Sequence, residues 1–228
     1  MKFLQSRNMK EKIHRGNYYA NIFFLNKAHL LKDKKIKILE ISSGTGALLS
    51  HLRKRGYDIL GTEYTDEAIR TSQKMFGNLG LLKMSGDDLK FPNKSFDLVI
   101  SFDVFEHIPD TDKHLREVKR VLKDNGIYAF GTPNKVTNIP WEILDKKSLT
   151  AWRDYHVSLH TYEGLKRRME KNNFKYRFAD IPLVNEYFEE KIKKRLGILP
   201  LLLLKAIQIN KWPISMRTNF YVIARNEK

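Results

Sequence analysis

The residues best placed to do chemistry are Ser42-Ser-Gly-Thr-Gly46 and the carboxylates around them. The segment follows the apolar run Ile36-Lys-Ile-Leu-Glu-Ile41 and precedes Ala47, where a helical pattern resumes. Glycine suits such a turn because a Cβ would block close approach to a ligand or forbid positive φ. A strand that ends in this turn offers backbone N–H groups and a helix N-terminus to whatever binds there. Glu40 stands just before the turn, where it can meet the amino group of a cationic ligand. Glu63 lies 23 positions later at the end of a second predicted strand, and a carboxylate there can accept both ribose hydroxyls of an adenosine cofactor.

The turn alone leaves two chemistries open. Ser42-x-Gly44-x-x-Ala47 is also a degraded dinucleotide fingerprint, which would make a dehydrogenase. Glu40 and the Gly86-Asp87-Asp88 step favour the other reading, because a dehydrogenase needs neither in particular.

A second group of residues could handle protons. Asp103, Glu106 and His107 form a D-x-x-E-H cluster after the apolar run Phe96 to Ser101. The unperturbed pKa of histidine suits proton removal near neutrality, so His107 is the first candidate base. His156 and His160 stand four apart in Tyr155-His-Val-Ser-Leu-His160, in a segment predicted to be a loop, and His156 is the second candidate for contact with an acceptor. Trp141, Trp152 and Tyr155 lie nearby, where they could stack on a flat substrate or form a small local core. Cysteine is absent, which excludes disulfide partners, thiolate zinc sites and a cysteine nucleophile.

The elements that must position these residues alternate. A helix is expected over 10–31, then strand 36–41, helix 47–55, strand 58–63, helix 66–76, strand 79–84, strand 96–101, helix 110–122 and strand 126–131. This rhythm predicts an α/β fold, a Rossmann-like seven-stranded and mostly parallel sheet with helices on both faces. Residues 135–160 read as irregular. Helix 161–172, strand 174–181 and a last, antiparallel strand 219–225 finish the pattern, with 184–216 inserted between the last two strands.

A chain of 228 residues with 42% hydrophobic and 30% charged residues can hold one sizeable domain. Its formal net charge of +16 favours an acidic partner, although lysine-rich usage can also be a general habit of a proteome. The insertion carries Leu196-Gly-Ile-Leu-Pro-Leu-Leu-Leu-Leu204 behind Lys191-Ile-Lys-Lys-Arg195. Such a pair can cover a sheet edge or lie at an anionic membrane surface, but is too short to cross a bilayer. With no signal peptide pattern, a cytoplasmic protein is expected, with peripheral contact at the membrane as its one departure.

The order of segments resembles the class I S-adenosylmethionine-dependent methyltransferases related to the ubiquinone and menaquinone enzymes. The pieces that carry the resemblance are Ile38 to Gly46, Gly61-Thr-Glu63, Gly86 to Leu89 with Phe91-Pro92, Ser95 to Ser101, Val104 to Pro109 and Gly131-Thr-Pro-Asn134. It implies S-adenosyl-L-methionine as cofactor. Glu40 would hold the methionine amino group, Gly44 and Gly46 would line methionine and ribose, and Glu63 would take the ribose hydroxyls. Asp87 would accept the adenine amino hydrogen and Asp88 would offer its backbone to the ring. Ser101 with Phe102 would close the pocket wall. Ser42 stands where the family usually has glycine.

The resemblance also implies a single methyltransferase domain over 1–228, with 134–160 as a substrate lid in which a histidine such as His156 faces the acceptor. The D-x-x-E-H cluster resembles the E-x-x-E-H of the ubiquinone O-methyltransferases, where a divalent cation can be held. Packing or helix capping is the alternative role for Glu106 and His107, and no metal is assigned. The expected function is O-methylation of a small-molecule, saccharide or lipid-linked acceptor. RNA methylation through the basic surface and a non-catalytic binding protein are the alternatives, and RNA lacks support from any recognition module in the sequence.

Overall fold

The computed structural model describes residues 18–154, 156–182, 189, 192–194, 196–206 and 208–227. Strand β1, Lys37–Glu40, has both faces covered at its centre, where Ile38 and Leu39 are fully buried. Strands β2 (Asp58–Glu63), β3 (Leu82–Lys83), β4 (Phe96–Phe102), β5 (Leu122–Pro133), β6 (Lys175–Ala179) and β7 (Asn219–Arg225) join it in one sheet of order β3-β2-β1-β4-β5-β7-β6. The first five are parallel, and β7 runs antiparallel to both β5 and β6. The strand order reverses between β1 and β4, which opens a crevice at their carboxyl ends.

The helices split the core into two layers. Helices α1 (Tyr18–Lys27) and α2 (Ala47–Lys54) cover one face, where Phe24, Leu25 and Leu49 pack with Ile38 and Ile100. After α3 (Asp66–Phe76), helix α4 (Thr111–Val121) covers the other face, with Leu115 and Val118 against Leu39, Val99, Tyr128 and Phe130. Helix ends follow their caps: Thr65 accepts from the Ala68 amide and Asp110 from that of Lys113.

Of the expected helix 10–31, α1 forms over Tyr18–Lys27 and stops short of 31 in a turn where His29 has φ 58°; the residues before Tyr18 lie outside the described residues. The expected strand 79–84 shortens to Leu82–Lys83, whose side chains are both exposed and gain little from sheet packing. Strand β5 extends beyond 126–131 in both directions, with a register irregularity opposite Phe96 to Leu98.

The stretch expected to be irregular after residue 134 contains helix α5, Lys135–Lys146, capped by the Asn134 side chain accepting from the Val136 amide. None of its residues is buried, so it carries no core-facing stripe, and Pro140 inside it argues against a helix. Helix α6 (Tyr162–Lys171) follows as expected, with Thr161 as its cap. In the insertion, α7 spans Ile198–Ala206, and two short 3₁₀ turns, Ile209–Lys211 and Ile214–Met216, lead back to β7.

Candidate active site

A cavity of about 320 Å³ occupies the crevice at the carboxyl ends of β1 and β4. Glu40, Ser42, Gly44, Phe102 and Asp103 line it, together with Tyr18 and Asn21 from α1. The floor is the turn after β1, which three backbone amides hold in place. The Ser43 amide donates to the Thr62 carbonyl at 2.8 Å, the Gly46 amide to the Ser43 carbonyl at 2.8 Å, and the Gly44 amide to Glu63 Oε2 at 2.8 Å.

The turn needs left-handed backbone at three positions: Ser42 with φ 52°, Gly44 with φ 55° and Gly46 with φ 78°. A Cβ on Gly44 would meet nothing within 4 Å, whereas one on Gly46 would lie 2.5 Å from Leu79 Cδ1 and 2.7 Å from Ser72 Oγ. Gly44 therefore leaves space open beside the cavity and Gly46 permits close packing behind it. Ser42 occupies the glycine-favouring region as a non-glycine residue, as does Asp103 with φ 55° across the cavity. Such conformations cost on the order of 1–3 kcal/mol each and persist only where the surroundings enforce them.

Glu40 is buried, and its Oε2 has no hydrogen-bond partner among the described residues. Burial pushes its carboxyl up to about 8. Ser43 and the Leu49 amide bond to the carboxyl, but a buried oxygen left without a donor on the wall of a cavity is costly unless a ligand completes it. The amino group of a bound amino acid would restore its charge and supply the missing donors, so this carboxyl fits the methionine end of S-adenosylmethionine.

Glu63, also buried, holds the loop from the neighbouring strand. Besides the Gly44 amide, it accepts from the Tyr64 amide at 2.8 Å and from the Thr65 amide at 3.4 Å, both at Oε1. A carboxylate has about four lone-pair sites, so capacity remains for hydroxyl donors.

The remaining expected cofactor residues divide by face. Asp87 accepts from the Ser85 hydroxyl and from Lys113 Nζ at 3.3 Å; the Ser85 bond is the main cause holding its carboxyl below the usual range. Asp88 is exposed and pairs with Lys90, and neither aspartate lines the cavity. Phe102 lines it, but the neighbouring Ser101 points to the opposite face, where its Oγ lies 2.6 Å from the Tyr128 hydroxyl.

That hydroxyl continues a buried chain: Tyr128 Oη is 2.8 Å from His114 Nε2, and His114 Nδ1 is 2.7 Å from the Gly86 carbonyl. Burial lowers the His114 pKa to about 4, so the ring is neutral. A carbonyl only accepts, so Nδ1 carries the proton, Nε2 accepts from Tyr128, and Ser101 donates to Tyr128. The chain fixes the Gly86-Asp87 turn to β4 and β5. Sequence spacing gave no sign of His114 or Tyr128 in this role.

The acceptor candidates His107 and His156 meet each other but are not in the lining of the cavity. The rings of His107 and His156 lie 5.1 Å apart between centroids, and His107 Nε2 is 3.9 Å from Glu106 Oε1. Thr132 Oγ1 donates to Glu106 Oε2 at 3.0 Å, and the Ser158 amide donates to the Glu106 carbonyl at 2.9 Å. Burial, and then the charge of Asp103, push the Glu106 carboxyl up to about 8. Burial also lowers the pKa of His156, aided by His107 and Lys146.

One ligand atom from each of Glu106, His107 and His156 lies within 4.8 Å of the others, a spacing too wide for a direct hydrogen bond between all three but open to a divalent cation. His156 thus stands where the D-x-x-E-H spacing pointed to Asp103. His160 lies apart: it packs on Phe105 and accepts from Arg168 Nε at 3.2 Å. Trp152 donates to the Leu149 carbonyl at 3.1 Å; Tyr155 lies outside the described residues. Tyr18 and Asn21 were not singled out by the sequence; Tyr221 Oη donates to Asn21 at 3.1 Å and so fixes the α1 side of the cavity.

Comparison with known proteins gives the following likenesses. A family model described as a methyltransferase domain matches residues 39–130. The ubiquinone biosynthesis O-methyltransferase of Pelagibacter ubique is 25% identical over 64% of this chain and 65% of its own. The fatty-acid O-methyltransferase of Mycolicibacterium smegmatis is 31% identical over 59% of this chain and 51% of its own. The chain spans about half the length of the curated relatives it matches. Among solved structures, an S-adenosylmethionine-dependent methyltransferase of Thermotoga maritima aligns over 96% of both chains with a TM-score of 0.62 at 17% identity. Residues 39–130 thus resemble a methyltransferase domain, and the chain carries the fold seen in class I S-adenosylmethionine-dependent methyltransferases.

Proposed function

We propose that this chain is an S-adenosylmethionine-dependent methyltransferase that methylates an oxygen of a small-molecule, saccharide or lipid-linked acceptor. The observation that carries the reading is the buried Glu40 carboxyl, one oxygen of which, Oε2, has no partner among the described residues, on the wall of the cavity at the strand-order reversal. A dinucleotide lacks the aliphatic ammonium that would pair with such a carboxyl.

When bound, the cofactor supplies a sulfonium methyl already activated for transfer. In this reading Glu40 binds the methionine amino group, and the turn with Ser42, Gly44 and Gly46 seats methionine and ribose. Glu63 accepts from the ribose hydroxyls while keeping its bond to the Gly44 amide. Asp87 and the Asp88 backbone meet the adenine, Phe102 walls the pocket, and Ser101 anchors the adenine turn from behind through Tyr128 and His114.

Methyl transfer to a hydroxyl needs the acceptor held in line and its proton removed. His107 and His156 are the groups for that step. The lowered pKa of His156 keeps its ring neutral at physiological pH, so it can take a proton at once. The names of the two O-methyltransferase relatives support oxygen as the accepting atom. Segment 134–160 serves as the lid over the acceptor.

The direct test is to incubate the protein with S-adenosylmethionine and cell extract, then identify the methylated product by mass spectrometry. An O-methylated small molecule or lipid supports the proposal; methylated RNA, or no methylated product, overturns it.

A further inference from the structure

Ten of the fourteen exposed large apolar side chains among the described residues fall within 135–160 and 196–216. Six of them surround α7: Leu196, Ile198, Leu199, Leu202, Leu203 and Met216. Leu199 is 76% exposed and Leu203 63%, while Leu201 alone turns inward at 1%. Isolated apolar side chains on a surface are ordinary, but this many around one nine-residue helix mark a contact site.

Lysines flank the same helix in sequence. Lys193 and Lys194 precede it, Lys205 lies in its last turn and Lys211 follows, all exposed. The acid nearby, Glu189, pairs with Lys205 at 2.7 Å. No helix among the described residues is long and apolar enough to cross a membrane. A short helix with exposed leucines and flanking lysines can bury its side chains at the headgroup boundary while the lysines meet anionic lipid. A second copy of the chain would bring two lysine-flanked faces together, and like charges oppose that contact.

We propose that the exposed face of α7 docks this protein on an anionic lipid surface. The helix leaves the sheet after β6 and returns to β7, whose first residue, Asn219, pairs with Pro133 at the carboxyl end of β5. Asn134 fixes the returning limb, its Nδ2 donating to the carbonyls of Ser215 at 2.9 Å and Arg217 at 2.8 Å. The same asparagine caps α5. The docking face therefore rises from the end of the sheet that holds the cavity, and a lipid-borne acceptor would reach the site without leaving the bilayer surface. The docking itself stands independently of the methyl chemistry.

Sedimentation of the full chain with vesicles tests it. The protein is expected to partition onto phosphatidylglycerol-containing vesicles and far less onto pure phosphatidylcholine. The variant L199S/L202S/L203S, whose changes are all at exposed positions, should lose about tenfold or more of that partition with an unchanged melting temperature. K193Q/K194Q should weaken it several-fold, and added salt should do the same. If the triple variant melts early, L199S alone must lose about threefold. Wild-type partition by the leucine variants, equal binding to both lipids, or a solution dimer that the leucine changes dissociate while vesicles bind nothing would each overturn the proposal.

Discussion

Glu63 Oε2 accepts a hydrogen bond from the Gly44 amide at 2.8 Å, so the carboxylate expected to meet a ribose also holds the turn on which the cofactor lies. Binding and loop order are coupled through one side chain. E63Q replaces one acceptor oxygen by an amide that confronts N–H donors, and a lost bond to a charged group is worth about 1.5–3 kcal/mol. S-adenosylmethionine affinity should fall by about 10–100-fold and the melting temperature should drop with it. Calorimetry and a melt on the same sample check this, and a change in affinity alone would show that Glu63 does not hold the loop.

Ser42 sits at φ 52° where an L-residue is strained. S42G removes that strain, and an increase of about 1 kcal/mol in stability is expected. For a chain of this size this corresponds to about 2–4 °C in Tm. A fall in Tm would mean that the serine side chain stabilises the turn by more than its backbone costs.

The buried chain Ser101, Tyr128, His114 and Gly86 predicts the outcome of Y128F. Removing one hydroxyl leaves both His114 Nε2 and Ser101 Oγ without their partner. A buried polar group left unpaired costs about 1–3 kcal/mol. Urea denaturation should report that loss, and the Gly86-Asp87 turn should exchange its amide hydrogens faster. A neutral Y128F would show that water replaces the hydroxyl.

Asp112 tests electrostatics. Burial opposes its ionisation, but hydrogen bonds from Lys171 at 2.6 Å, Arg168 and Asn172 outweigh it and hold the carboxyl well below the usual range. Its folded pKa is depressed, so its contribution is full above the unfolded value of about 3.9 and is lost as pH falls through the folded value. D112N should be less stable than the wild type at pH 7, and the gap should close as pH falls below about 4. A gap independent of pH would assign the loss to packing.

Much of the fold was legible because strands buried on both faces must be apolar runs, as Ile38-Leu39 and Leu98 to Ile100 are. Helix α5 was not, since a helix with no buried residue shows no stripe. In the site, Glu40, Ser42, Gly44 and Phe102 were readable from position after a strand and do line the cavity. Ser101 and Phe102 are adjacent in a strand, and alternation sends their side chains to opposite faces, which the sequence reading did not weigh. His107 and His156 were separate candidates, and nothing local says that residues 49 apart in sequence come into ring contact.

Calorimetric titration of S-adenosylmethionine into the wild type and E40Q, at pH 7 in two buffers of different ionisation enthalpy, tests the central claim most directly. An ammonium that pairs with Glu40 must find it ionised, and burial keeps the free carboxyl protonated up to about 8. Binding to the wild type should therefore release about one proton, seen as a buffer-dependent heat, and E40Q should bind about tenfold or more weakly without that release. Equal affinity for both proteins, or no binding at about 1 mM ligand, would contradict the account.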